Sequence, residues 1–116
     1  MSEIVRVYHN ARCSKSRSAC QLLEEQGVAL EIVEYLKNPP GRDELAGLLK
    51  KLGLPAEAIV RTGEEIYKSD YKGRTLNEDE WLDALVAHPI LIERPIVVRG
   101  ARAVIGRPPE KVLALL

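Results

Sequence analysis

Residues 4–36, with the sequence IVRVYHNARCSKSRSACQLLEEQGVALEIVEYL, contain the pattern that decides the fold class. The run from Ile4 to Tyr8 is short and rich in β-branched residues, which is typical of a strand. From Ser14 to Gln26 apolar side chains recur at helical spacing, and Gly27 follows as a C-terminal stop. Residues 30–36 alternate apolar and acidic side chains and predict a second strand. This order predicts a right-handed βαβ unit with parallel strands.

The remainder of the chain predicts helices followed by a β-hairpin. The elements are, in order, a helix over Arg42–Leu52, a helical turn from Pro55 to Val60, an irregular stretch over 62–75 with at most one helical turn near 65–68, a helix from the capping residue Asn77 to His88, strands over Ile96–Arg99 and Arg102–Ile105, and a last helix over Glu110–Leu116. The order βαβ, helices, ββα is that of a thioredoxin-like fold. We therefore expect an α/β three-layer sandwich with a mixed β-sheet and a helical insertion, as a single domain over residues 1–116.

Length and composition are those of an ordinary globular domain. The 116 residues are 46% hydrophobic and 29% charged, which excludes disorder as the dominant state. Seventeen Lys and Arg balance 17 Asp and Glu, and this zero net charge argues against a nucleic-acid binder. No apolar stretch approaches the length of a membrane span, and the N-terminus lacks the apolar core of a secretory signal. We expect a cytoplasmic protein without membrane association.

Cys13 is the candidate reactive group. It lies where the loop after the first strand meets the first helix, and a helix N-terminus favours the thiolate form of a cysteine. Its polar neighbours Arg12 and Ser14 favour this interpretation over a small buried residue, which is the alternative. Cys20 lies on the presumed apolar face and is predicted to be a core cysteine. The two thiols are separated by roughly 10 Å of helix, so we expect neither a disulfide nor a zinc site.

Three polar residues near Cys13 are candidates for supporting roles. Ser16 stands where a CxxC motif has its second thiol, so Cys13 needs an outside thiol to resolve any adduct. The Ser16 hydroxyl can instead donate a hydrogen bond to the thiolate, or it can be an ordinary first-turn serine. A protonated His9 can favour the anion, or it can be a loop residue without that role. Asn10 is predicted to form the turn and to shape an anion-binding loop.

Three arginines, Arg61, Arg94 and Arg107, fall at the boundaries of predicted elements. Boundaries at one edge of a sheet can converge, and three guanidiniums beside a helix N-terminus form a pocket for an oxyanion. The alternative for each is an exposed charge. His88 lies at a helix end, where a cation suits the helix dipole, and is interpreted as structural.

Four motifs occur in order along the chain. They are HNARCSKSR at residues 9–17, NPP at 38–40, HPILIERPIVV at 88–98 and GRPPE at 106–110. In this combination the chain resembles the glutaredoxin-dependent arsenate reductases of the ArsC family, which have a thioredoxin-like fold. The resemblance implies that Cys13 is the nucleophile and that His9 assists formation of its thiolate. It also implies that Arg61, Arg94 and Arg107 bind the oxyanion.

The resemblance further implies a mechanism. The Cys13 thiolate attacks arsenate to form a covalent adduct, glutathione attacks next as a co-substrate, and glutaredoxin regenerates the protein while arsenite leaves. Pro95 matches a proline that is usually preceded by a cis peptide bond in this fold. No bound metal or organic cofactor is expected.

Two other functions stay open. One is a Spx-like regulator that binds RNA polymerase without catalysis. Such proteins commonly carry CxxC, and Ser16, Arg61 and Arg107 argue against this function. The other is a general glutathione-dependent thiol reductase without arsenate activity.

Overall fold

The structure, a computed structural model, describes residues 4–116, and their contacts divide the chain into two compact units. Unit 1 comprises the chain up to Asn38 together with Arg94–Leu116, and unit 2 comprises Pro39–Glu93. The expectation of one domain over the whole chain stays a prediction. Across residues 4–116, no helix is both long enough and apolar enough to cross a membrane.

A four-stranded mixed sheet with the order β2-β1-β3-β4 forms the centre of unit 1. Its strands are β1 (Val5–His9), β2 (Leu30–Glu34), β3 (Ile96–Arg99) and β4 (Arg102–Ile105). Strand β1 pairs in parallel with β2 and antiparallel with β3, and β3 pairs antiparallel with β4. The parallel β1–β2 pair confirms the predicted βαβ unit, and the β3–β4 pair confirms the predicted hairpin.

Helix α1 (Ser14–Glu25) and a C-terminal 3-10 helix share one apolar core with the sheet. Ala19 and Leu23, one turn apart on α1, are fully buried in this core with the alternating valines of β1. Full burial of a leucine side chain stabilises a fold by about 1.5–3 kcal/mol. This packing holds the first turn of α1 close to the end of β1, where Cys13 lies.

Unit 2 is helical. Its elements are α2 (Arg42–Leu52), a 3-10 helix over Ala56–Ile59, α3 (Glu65–Asp70), α4 (Glu78–Ala87) and a 3-10 turn over Pro89–Leu91. The predicted capping box is confirmed, because Asn77 Oδ1 accepts from the Glu80 N–H at 2.8 Å and Glu80 accepts from the Asn77 N–H at 3.0 Å. Arg42 at the start of α2 forms ion pairs with Asp79 and Asp83 of α4. Helix α3 extends the single helical turn predicted for this stretch.

Strand β2 is shorter than the predicted segment over residues 30–36. It ends at Glu34, whose carbonyl oxygen accepts hydrogen bonds from the N–H groups of Lys37 and Asn38, both at 2.9 Å. These two local hydrogen bonds close a turn that leads the chain away from the sheet. The alternating sequence pattern gives no sign of this turn.

The predicted last helix is a 3-10 helix over Pro109–Leu115. Arg99 donates to the Leu115 carbonyl at 2.9 Å, and Arg102 donates to the Ala114 carbonyl at 2.7 Å. Side chains of the hairpin therefore satisfy the last carbonyl groups of this short helix.

Candidate active site

The loop between β1 and α1 places Cys13 at the helix start. Asn10 makes the turn as predicted: its carbonyl oxygen accepts from the Cys13 N–H at 2.9 Å, and its side chain accepts from the Arg12 N–H at 3.0 Å. Cys13 is the N-cap residue, with extended backbone angles (φ −93°, ψ 121°) immediately before the first helical residue, Ser14. Its side chain is partly exposed.

The surroundings of Cys13 favour its thiolate. Partial burial is the largest single influence and by itself raises the pKa of Cys13. The backbone N–H groups of Ser16 and Lys15 and the guanidinium of Arg94 act in the opposite direction. Together they hold the pKa of Cys13 below its ordinary value. The site therefore favours the thiolate of Cys13, which is the nucleophilic form.

Two of the three predicted arginines lie at the sulfur. The Arg94 side chain hydrogen-bonds to Cys13, and its Nε and Nη1 atoms are buried. Nη1 of Arg107 lies 3.9 Å from the Cys13 sulfur and donates to the Arg94 carbonyl oxygen at 3.1 Å. A thiolate beside two guanidiniums can attack the central atom of an oxyanion while the cations bind its oxygens.

Close backbone packing brings Arg107 to Arg94. Gly106 donates its N–H to the Pro95 carbonyl at 2.9 Å, and a Cβ atom at residue 106 would lie 2.9 Å from Pro95 Cγ and 3.0 Å from Val112 Cγ1. Only glycine fits this approach without displacing its neighbours. The Arg94–Pro95 peptide bond is cis, which the sequence left open.

Ser16 and His9 contact each other, which the sequence did not predict. The fully buried Ser16 places its Oγ 2.7 Å from His9 Nδ1 and accepts from the Asn10 N–H at 3.1 Å. Its hydroxyl therefore ties the loop to α1, and its backbone N–H, not its side chain, acts on Cys13. The hydroxyl contacts His9 and Asn10, and its donation to the thiolate, one of the two roles that the sequence leaves open, stays a prediction.

His9 is held toward its neutral form. Burial, the largest influence, lowers the pKa of His9, and the nearby Glu34 carboxylate offsets this only in part. The proposal of a protonated His9 beside the thiolate does not fit this environment. A neutral ring can accept a hydrogen bond from the Ser16 hydroxyl at Nδ1, and this contact holds the loop in place.

Arg61 lies in unit 2, where two carboxylates bind it. Its Nη1 donates to Glu93 at 2.7 Å and its Nε donates to Glu64 at 3.3 Å. A short antiparallel bridge aligns the pair, because the Arg61 N–H donates to the Leu91 carbonyl and the Glu93 N–H donates to the Ile59 carbonyl, both at 2.8 Å. The role of Arg61 in oxyanion binding stays a prediction.

Sequence reasoning missed several residues that contact the candidates. Tyr35, predicted as a strand residue only, is fully buried and helps raise the pKa of Arg94 against the lowering effect of burial. Glu64 and Glu93 were not anticipated as partners of Arg61. For Glu64 the i,i+3 spacing from Arg61 is the one signal that sequence offers.

Cys20 packs against the core of unit 1, as predicted. The Cys20 sulfur also lies 3.7 Å from His9 Nδ1. Burial, with a smaller effect of the Glu24 charge, raises the pKa of Cys20. Both cysteines are free thiols, as predicted. Within residues 4–116, no cluster of three His, Cys, Asp or Glu side chains could hold a metal ion.

Fold and site together define a thioredoxin-like protein with a single activated thiol at the start of its first helix. The chain belongs to the ArsC family, whose model matches residues 8–115. It is 44% identical over 114 residues to an arsenate reductase of Neisseria meningitidis serogroup A, covering 97% of each chain. It is 45% identical over 118 residues to the uncharacterized protein YfgD of Escherichia coli K12, covering 100% of this chain and 99% of that one.

A solved structure named as an arsenate reductase from Vibrio cholerae superposes with a TM-score of 0.95 at 45% identity, and the match covers all of both chains. These similarities confirm the family and the thioredoxin-like fold expected from the sequence.

Proposed function

We propose that this protein reduces arsenate to arsenite, with Cys13 as the nucleophile. Relatives named as arsenate reductases, 44% identical over 97% of the chain, support this substrate. The observation that carries the proposal is the position of the Cys13 sulfur, which has a lowered pKa and lies against Arg94 and Arg107. An anion-binding pair of guanidiniums at a thiolate suits attack on a tetrahedral oxyanion.

In the first chemical step, the Cys13 sulfur forms a bond to arsenic and one arsenate oxygen leaves as water after protonation. Arg94 and Arg107 stabilise the remaining oxyanion charge. Arg61 is the third arginine of this proposal, on the basis of the family resemblance alone.

Glutathione then attacks the adduct as co-substrate. Over the whole reaction, two thiols are oxidised to one disulfide, As(V) takes up the two electrons to become As(III), and arsenite leaves. Ser16 in place of a second motif cysteine supports an external thiol, and we propose glutaredoxin as the protein that regenerates Cys13 in the cytoplasm.

The test is arsenate-dependent oxidation of glutathione, measured with and without glutaredoxin. We expect Cys13→Ser to abolish turnover and Cys20→Ser to retain it, because Cys20 packs in the core with a raised pKa. Turnover by Cys13→Ser contradicts the mechanism. Wild-type protein that reduces glutathione mixed disulfides but not arsenate favours a general thiol reductase.

A further inference from the structure

A short chain of hydrogen bonds runs from the loop after β1, through Ser16 of α1, to the ring of His9. The Asn10 N–H donates to Ser16 Oγ at 3.1 Å, and the same oxygen lies 2.7 Å from His9 Nδ1. Within residues 4–116 these two groups are the hydrogen-bond neighbours of the Ser16 hydroxyl. Ser16 is fully buried, so bulk solvent does not reach its hydroxyl. The hydroxyl proton must therefore find its acceptor inside this chain.

The proton between Ser16 and His9 can belong to either residue. If His9 carried it on Nδ1, Ser16 Oγ would accept from both of its neighbours, and its own proton would have no acceptor within the chain. A buried donor without an acceptor loses its solvation and gains nothing in return. If Ser16 instead donates its proton to Nδ1, each group in the chain is satisfied.

The Cys20 thiol is a second and independent observation on the same ring nitrogen. Its sulfur lies 3.7 Å from His9 Nδ1. Burial raises the pKa of Cys20, so this side chain keeps its proton and acts as a weak donor. Two donors on α1 thus contact one nitrogen, and only an unprotonated nitrogen can accept from them.

We propose that Ser16 is a positioning residue that fixes His9 as the neutral tautomer with its proton on Nε2, so that the ring brings no positive charge to the thiol site. A proton on Nδ1 would face the donors of Ser16 and Cys20, so formation of the imidazolium breaks the chain. Activation of Cys13 is then left to the helix N–H groups and Arg94. The consequence for arsenate reduction rests on the proposed function, whereas the tautomer does not depend on the substrate.

Nitrogen-15 NMR of protein with labelled histidine measures the tautomer directly, because protonated and unprotonated ring nitrogens have well-separated shifts. The chain has two histidines, so a His88→Gln variant assigns the signals of His9. At pH 7.5 we expect an unprotonated Nδ1 and a protonated Nε2. A protonated Nδ1 overturns the proposal, and it leaves the Ser16 proton available to the thiolate instead.

Ser16→Ala tests whether Ser16 sets the tautomer. We expect the Nδ1–H tautomer to appear and the pKa of His9 to rise, since the bond that favours the neutral ring is lost while burial and the charges of Glu34 and Arg17 remain. Ser18→Ala, on the exposed face of α1, is the matched control. A tautomer and a pKa equal to those of the wild type overturn the proposal. The wild-type spectrum tests it even if Ser16→Ala fails to fold.

Alkylation of Cys13 by iodoacetamide, followed by mass spectrometry without arsenate, connects the tautomer to the thiol. We expect a single titration step between pH 5 and 9, because a neutral His9 adds no second step near the ordinary histidine pKa of about 6.5. A second step that disappears in His9→Asn reveals a cationic His9 at the thiol and overturns the proposal. A wild-type protein without arsenate activity defeats the proposed function but leaves the NMR and alkylation tests in force.

Discussion

The Nη1 atom of Arg107 donates to the carbonyl oxygen of Arg94 at 3.1 Å, so the backbone of one site arginine holds the side chain of the other. The two residues are 13 positions apart in sequence and are brought together by the β3–β4 hairpin. Both side chains lie at the Cys13 sulfur, but their contacts with it differ. We therefore expect them to have unequal effects on the thiol.

Arg94→Gln is expected to slow the alkylation of Cys13 near neutral pH more than Arg107→Gln does. Arg94 lowers the pKa of Cys13 by a hydrogen bond and by its charge, whereas Arg107 makes one long contact of 3.9 Å. Iodoacetamide kinetics between pH 5 and 9 measure the difference. Arg6→Gln, an exposed arginine paired with Glu31, is the control and should leave the profile unchanged. Equal slowing by the two site variants contradicts this ranking.

Ser16→Ala is expected to lower the free energy of unfolding by about 1–3 kcal/mol, because it leaves buried hydrogen-bonding groups unsatisfied. The Ser16 hydroxyl contacts His9 Nδ1 at 2.7 Å and the Asn10 N–H at 3.1 Å. Urea unfolding checks the value, with Ser18→Ala on the exposed face of α1 as the matched control. A loss no larger than that of the control shows that the loop does not depend on this contact.

The stability of the protein should fall as the pH drops below the ordinary histidine pKa of about 6.5. Burial lowers the pKa of His9 in the folded state, so the unfolded chain binds more protons in this range. The free energy of unfolding is therefore highest above pH 6.5 and decreases until the native pKa of His9 is passed. Urea titrations at pH 8 and pH 5.5 measure this decrease. His9→Asn, which keeps an acceptor near the Nδ1 position, should flatten it, and an equally steep decrease in that variant assigns the effect to other groups.

Gly106→Ala is expected to cost about 1–3 kcal/mol of stability through overpacking. Its Cβ would lie 2.9 Å from Pro95 Cγ and 3.0 Å from Val112 Cγ1. Gly47→Ala is the control, since a Cβ at residue 47 within α2 has no neighbour within 4 Å and should stabilise the helix by roughly 0.5–1 kcal/mol. Thermal unfolding of both variants gives opposite signs if the packing is as described. A neutral Gly106→Ala variant argues against the close approach.

Glu93→Gln is expected to lower KM for arsenate by a few fold if Arg61 binds the substrate as proposed. The Glu93 carboxylate lies 2.7 Å from Arg61 Nη1 and competes with an anion for this guanidinium. Two unit charges about 4 Å apart in water interact by on the order of 1 kcal/mol, and this sets the size of the expected change in arsenate binding. Steady-state kinetics measure the change, and Glu57→Gln on the exposed surface serves as control. An unchanged or increased KM means that Glu93 does not compete with the substrate.

The sequence predicted the central features of the site through local patterns. Cys13 follows from the boundary between a strand and a helix, and the turn at Asn10 follows from the residue type. The motif resemblance pointed to Arg94 and Arg107, and the structure places both at the Cys13 sulfur. Their positions were predictable because each depends on residues close in sequence or on a motif with known order, and their roles stay predictions.

Other contacts of the site were not predictable in this way. Several local groups could have bonded to the Ser16 hydroxyl. Its contact with His9 depends on how α1 packs against β1. The alternation of β2 marks Tyr35 as one more strand residue. Only the pairing of β1 with both β2 and β3 brings the end of β2 and the start of β3, next to Arg94, to the same edge of the sheet.

The sequence by itself determined the βαβ unit, the capping box of α4 and the placement of a thiol at a helix start, because hydrophobic period and capping chemistry act over a few residues. Tertiary structure alone decided which donors reach that thiol and which carboxylates bind Arg61. Side chains from distant segments meet only when the core closes. Burial then lowers the pKa of His9, whereas nearby N–H groups and Arg94 lower the pKa of Cys13 against the effect of burial.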